Sequence, residues 1–132
     1  MSIADLVDRA REAALNAYAP YSEFRVGAAV VAEDGTVYTG ANVENAAYGS
    51  AICAEGSAIS HAASSGVRKL TTVAVACIDA PSVDDAYPCG NCRQLMNEFG
   101  VEQVIVTGGA GDVREHSLED LLPHGFKLDT GS

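Results

Sequence analysis

The chain has 132 residues, the length of one compact domain, and its 8 Lys and Arg against 18 Asp and Glu give a net charge of −10. That balance leaves no continuous cationic footprint for nucleic acid or for an anionic membrane surface. Hydrophobic residues at 48% exclude wholesale disorder, and no run approaches the ~18 apolar residues that a membrane-spanning helix needs.

Ser2 is placed to cap a first helix, with Asp5 three residues on, and apolar residues recur at helical spacing from Ile3 through about residue 18. Ala19-Pro20-Tyr21-Ser22 breaks it. Residues 25–32 and 36–42 read as strands, and Asp34-Gly35 between them is a hairpin signal. Residues 43–52 read as irregular. From Cys53 an Ala-rich run predicts a helix that closes near Gly66. Residues 70–77 are near-continuously apolar and β-branched, as in a strand covered on both faces. A polar loop through Pro81, Asp84 and Asp85 leads to Pro88 and a helix over 89–99, ended by Gly100. Residues 101–107 read as a strand, 108–111 as a Gly-rich turn, and Ser117 to Leu122 as a short helix ended by Pro123.

The order α-β-β-α-β-α-β-α predicts an α/β fold, a three-layer α/β/α sandwich on a mixed sheet whose first two strands pair antiparallel. No linker or repeat interrupts it, so residues 1–132 read as a single domain. The first twenty residues carry Asp5, Asp8, Arg9, Arg11 and Glu12, which is not the composition of a secretory leader. The expected compartment is therefore the cytoplasm, where thiols stay reduced and clustered cysteines bind metal or do chemistry.

Two motifs carry that chemistry: Cys53-Ala54-Glu55 and Pro88-Cys89-Gly90-Asn91-Cys92, each at the start of a predicted helix. Cys53, Cys89 and Cys92 from two helix starts can converge on one zinc ion, helped by the positive dipole ends. Three protein ligands leave a fourth tetrahedral position for water, whose pKa the ion lowers toward ~7. Glu55, two residues after a ligand, is close enough to move a proton between that water and a substrate.

This pattern resembles the zinc-deaminase signature with Cys at its first ligand position. The resemblance extends through Asn42-Val43-Glu44-Asn45, Tyr48-Gly49, Cys92-Arg93-Gln94 and Leu121-Leu122-Pro123, and it is closest to the cytidine deaminases of the short, single-domain class. It implies a mixed central sheet of about five strands, one zinc per chain, and a hydrolase that acts on the C–N bond of a cyclic amidine. The implied reaction converts cytidine and 2′-deoxycytidine to the uridine products with release of ammonia, in pyrimidine salvage. Glu55 is the implied catalytic proton carrier. By the same resemblance Asn42 and Glu44 read ribose hydroxyls, and Phe24 packs on the pyrimidine. Ala54 reads the base edge, and Val43, Asn45, Ala46, Ala47 and Tyr48 complete the nucleoside-binding segment. Phe126 resembles an aromatic that enters a neighbouring subunit's pocket, which implies a homotetramer with shared active sites.

The chain departs from the short class at Gly56, where that class generally carries an Arg that offsets the thiolate charge. Here the helix-start N–H groups, or Arg93 turned toward the cluster, are left to do so.

Taken alone, Cys89-Gly90-Asn91-Cys92 fits a redox pair or half of a structural zinc site equally well. Cys77 reads as a small buried hydrophobe, and His61, His116 and His124 lack ligand spacing to the cysteines and read as surface or packing residues. Rival functions are a deaminase of another aminated nucleoside such as a blasticidin-type substrate, a polynucleotide-editing deaminase, and a non-catalytic zinc module. The editing enzyme needs a basic strand-tracking groove that this acidic chain lacks, and the zinc module needs a fourth protein ligand.

Overall fold

A computed structural model describes residues 1–129; the last three residues of the expected 1–132 domain lie outside that range. Helix α1 (Ile3–Ala14) starts as the sequence predicts, with the Ser2 hydroxyl accepting from the Asp5 amide at 3.2 Å. It stops four residues earlier than the periodicity predicts. The Tyr18 amide donates to the Asn42 carbonyl, and the Tyr18 carbonyl accepts from the Glu44 amide, so the chain is already in extended pairing there.

Strands β1 (Val26–Ala32) and β2 (Val37–Ala41) form the expected antiparallel hairpin. Helix α2 (Ala54–Ser64) then crosses to β3 (Leu70–Cys77), and α3 (Gly90–Glu98) crosses from β3 to β4 (Gln103–Thr107). A strand absent from the sequence reading follows: β5 (Val113–Ser117) pairs antiparallel with β4. It was missed because it is a polar, largely exposed edge strand with no apolar alternation to betray it. Ser117 caps the final helix, α4 (Leu118–Leu121), through the Asp120 amide. Two single 3-10 turns, Tyr48–Ser50 and Val83–Asp85, sit in segments read as irregular.

The five strands lie in the order β2-β1-β3-β4-β5. β1 runs antiparallel to both its neighbours, and β3 runs parallel to β4. It follows that β2 and β3 point the same way on either side of β1. Their carboxyl ends share one edge of the sheet, and the helices that leave those ends, α2 and α3, both begin there. Ligand sites in such sheets lie at that edge.

One face of the sheet packs against α1, where Leu6, Val7 and Ala10 meet Ala29, Ala74, Ala76 and Ile105. The other face buries Val30, Val73, Val75, Val104 and Val106 against Ile59 of α2 and Met96 of α3. Each such aliphatic side chain stabilises the fold by roughly 1.5–3 kcal/mol when fully buried. This two-sided burial is why 70–77 reads as an unbroken apolar run. Two glycines let the layers approach: a Cβ at Gly27 would enter the Ala10 carbonyl of α1, and one at Gly40 would enter the backbone of Ser57 and Ala58 in α2. Helix α2 is thereby held by direct backbone contact with β2.

Candidate active site

Cys53 is the N-cap of α2 and Cys89 the N-cap of α3, while Cys92 lies in the first turn of α3. Because both helices start at the same sheet edge, their three sulfurs lie within 4.8 Å of one another. Cys92 is buried, and Cys53 and Cys89 open toward solvent. Three sulfurs bound to one zinc at about 2.3 Å stand roughly 3.8 Å apart in a tetrahedral set, so this soft trio fits the ion with little movement. Among the described residues it is the one such cluster of metal donors. A hydrogen bond from the Cys92 thiol brings the Cys53 thiol down to about 7, whereas Cys92, as donor and buried, is held in its protonated form. Two helix N-termini aimed at the cluster favour its anionic forms further.

Glu55 follows in the first turn of α2 and is only 4% exposed. Burial pushes its carboxyl upward from the ordinary carboxylate range. Its charge acts on Cys53, Cys92 and Cys77 alike.

A cavity of about 310 Å³ opens onto this cluster. Its lining includes Cys53, Cys89 and Glu55 of the cluster, Val26, Val75 and Cys77 of the sheet, and Phe24, Asn42, Val43, Glu44 and Ala54. Asp85, Ala86 and Tyr87 supply a further wall that the sequence reading missed, as it missed Ala51 and Ile52. The available signal was their position immediately before the Pro88-Cys89 motif. The lining carries three carboxylates (Glu44, Glu55, Asp85) and no Lys, Arg or His.

The remaining expected site residues are placed elsewhere. Asn45, Ala46, Ala47 and Tyr48 are exposed and do not line the cavity; Tyr48 stands 86% exposed. Phe126 is 65% exposed and also outside it, with its carbonyl accepting from Gln94 and Asn97. Asn42 is already engaged with the backbone: its Oδ1 accepts from the Val26 amide and its Nδ2 donates to the Phe24 carbonyl, both at 2.9 Å. Glu44 accepts from the Tyr21 and Ser22 amides and from the Ser22 hydroxyl, which holds its carboxyl below the usual range. Both side chains thus clamp the cavity rim and retain spare acceptor capacity.

Arg93 is not turned toward the sulfurs. Its guanidinium donates to the carbonyls of Pro88 and Leu121, each at 2.8 Å, and so braces the turn before Cys89. Of the two ways of offsetting thiolate charge, the helix starts remain. Cys77 is buried as expected and sits outside the sulfur cluster; burial pushes its thiol up to about 12, and it donates to the Ala86 carbonyl. His61 packs edge-on against Tyr38.

The sequence model of one family, described as the cytidine and deoxycytidylate deaminase zinc-binding region, matches residues 1–108. A cytidine deaminase of Sporosarcina psychrophila is 43% identical over 131 residues, 98% of this chain and 94% of its own. The crystal structure of a cytidine deaminase from Burkholderia pseudomallei superposes with a TM-score of 0.89 at 44% identity, covering 96% of this chain and all of the other. That of the Mycobacterium tuberculosis cytidine deaminase gives 0.79 at 37% identity over 97% of this chain and 99% of the other.

Proposed function

The chain belongs to the cytidine and deoxycytidylate deaminase family, and from that premise we propose that it hydrolyses cytidine and 2′-deoxycytidine to uridine and 2′-deoxyuridine. The observation that carries the reading is the trio Cys53, Cys89 and Cys92 beside a buried Glu55, at the end of a cavity open to solvent. Three sulfurs with no fourth protein donor among the described residues favour a reactive centre over a closed structural one.

Cys53, Cys89 and Cys92 would hold zinc, which when bound would lower the pKa of a water toward neutrality. Glu55 takes a proton from the attacking water and places it on ring N3 as the water oxygen bonds to C4. The second water proton then passes through Glu55 to the departing amino group. The C4–N bond breaks, ammonia leaves, and a C4 carbonyl remains, so one water is consumed for each ammonia released. Positioned proton transfer of this kind contributes ~10²–10⁴-fold. Phe24 offers the pyrimidine an aromatic face, the Ala54 backbone and Glu55 read the base edge, and Asn42 and Glu44 use their spare capacity on the ribose. Val43 and the 45–48 segment form the outer rim.

The substrate is a neutral nucleoside, since a cavity with three carboxylates and no cation repels a phosphate. Residues 1–132 are read as one domain around the single sheet. The working unit is a homotetramer with shared sites, a reading supported by the exposure of Phe126 and Tyr48. The cytoplasm and pyrimidine salvage are its setting, in keeping with four free cysteines and with the absence, among the described residues, of a helix long and apolar enough to cross a membrane.

Metal analysis of the purified protein, paired with a cytidine-to-uridine absorbance assay, tests the reading. One zinc per chain and turnover of cytidine and deoxycytidine are expected, with cytidine 5′-monophosphate, blasticidin-type nucleosides and single-stranded DNA left unchanged. Metal-free protein, or a zinc-loaded chain inert toward cytidine, would refute it.

A further inference from the structure

Strand β5 looks at first like simple edge protection, a short charged strand that discourages pairing with other chains. Two of its side chains do more. Arg114 and His116 sit two residues apart and therefore share a face. Their register partners, Val106 and Val104, belong to the core beneath α2 and α3, so that face is the one bearing the active site.

From there Arg114 Nη1 donates to Asp84 Oδ1 at 2.5 Å and to the Tyr87 hydroxyl at 3.4 Å. The same hydroxyl lies 2.8 Å from His116 Nε2, with the two rings 5.2 Å apart. A guanidinium can only donate, so the Tyr87 oxygen accepts from Arg114, while the tautomer of His116 sets which partner donates in the Tyr87–His116 bond. Asp84 and Tyr87 bracket Asp85 and Ala86, and Tyr87 itself lines the cavity. The segment 83–88 is anchored besides by the Ser82 cap, the Cys77 contact to the Ala86 carbonyl, the buried Val83 and Ala86, and the Arg93 bond to the Pro88 carbonyl, none of which engages the Tyr87 hydroxyl.

We propose that Arg114 and His116 are positioning residues for the substrate cavity, holding through Tyr87 and Asp84 one wall of a cavity that β5 itself does not line. The proposal rests on the deaminase reading of the cavity.

Steady-state kinetics of zinc-loaded variants test it. His116→Phe keeps an aromatic ring but loses the ring nitrogen that meets the Tyr87 hydroxyl, and it is expected to raise KM for cytidine about fivefold, the worth of one neutral hydrogen bond. Its kcat stays within twofold, because Glu55 and the three cysteines are untouched. His116→Gln, whose amide can donate or accept, restores a hydrogen-bond partner and most of the KM. In a Tyr87→Phe background His116→Phe adds nothing further, since the coupling is already gone. Amide exchange across residues 83–88 accelerates in His116→Phe and not in His116→Gln. Unchanged KM, or equal losses in the Phe and Gln variants, or additive effects with Tyr87→Phe, would overturn the proposal. If the parent does not turn over cytidine, the deaminase reading falls alone. The exchange measurement, which needs no substrate, then decides: acceleration in the Phe variant upholds positioning, and its absence refutes it.

Discussion

Cys53 and Cys89 occupy the same structural position, each the N-cap of a helix that starts at the shared edge of β2 and β3, and neither side chain caps its helix. Capping positions favour Ser, Thr, Asp or Asn, whose oxygens satisfy the free amides of the first turn. Cysteine forgoes that bond at both ends. What it gains is a pair of sulfurs aimed at a common point, in the positive field of two helix termini.

The consequence is measurable by separating helix stability from metal binding. Cys89→Ser supplies a better cap and a poorer soft ligand. In the metal-free state the variant is expected to melt no lower than the parent. Its zinc affinity, by competition with a chromogenic chelator, should fall by more than the ~10–100-fold that follows loss of an outer-shell partner.

Glu55 separates in the same way. Glu55→Gln preserves shape and removes a buried charge that carries a desolvation cost. Zinc content and melting temperature should hold or improve, while kcat for cytidine falls by at least ~10²–10⁴-fold. Near-parental turnover in the absorbance assay would take Glu55 off the proton path.

Gly40 tests whether the backbone contact beneath α2 sets the site. An added methyl there would enter the Ser57 and Ala58 backbone. Gly40→Ala is expected to destabilise the fold by about 1–3 kcal/mol, read by urea denaturation. Because the displaced helix carries Cys53 and Glu55, zinc affinity should fall with it. Gly49→Ala, where an added Cβ meets nothing within 4 Å, is the control and should leave both values alone.

Arg25 and Asp79 tie the start of β1 to the chain just after β3, through a forked pair with two contacts of 2.9 Å and a 2.8 Å bond from the Arg25 amide. Hydrogen bonding to Arg25 holds the Asp79 carboxyl down to about 2 from an ordinary 3.8. A carboxyl depressed in the folded state stabilises fully above its unfolded value, and that contribution is lost as pH falls toward the folded value. Asp79→Asn should therefore melt below the parent at pH 6. The gap closes between about pH 4 and pH 2, and a gap independent of pH would assign the effect to packing instead.

Some of the fold was legible for local reasons. The Ser2 cap, the Asp34-Gly35 hairpin and the apolar run 70–77 each encode their structure within a few residues. The end of α1 was not legible, because Ala17 and Tyr18 keep a helical pattern while Tyr18 is drawn into pairing with Val43, far away in sequence. The strand β5 was hidden for a related reason: VREHS owes its extended form to β4, not to its own composition. In the site, the donors and the acid stood out because their chemistry is rare and their spacing short. The wall formed by Asp85, Ala86 and Tyr87 carried no such mark. Asn42 and Glu44, the expected ribose readers, also bond to the backbone of 21–26 and to the Ser22 hydroxyl, which no spacing could report.

Which atoms can hold the metal and which can carry the proton is set by residue identity, since thiol softness and carboxyl basicity belong to side chains and go wherever the chain goes. That they meet is a product of the folded chain. Cys53 and Cys89 are joined by 35 intervening residues, and what brings them together is the pairing of β2 and β3 on opposite sides of β1. That pairing depends on burying both faces of one sheet at once, a property of the whole chain that no local segment contains.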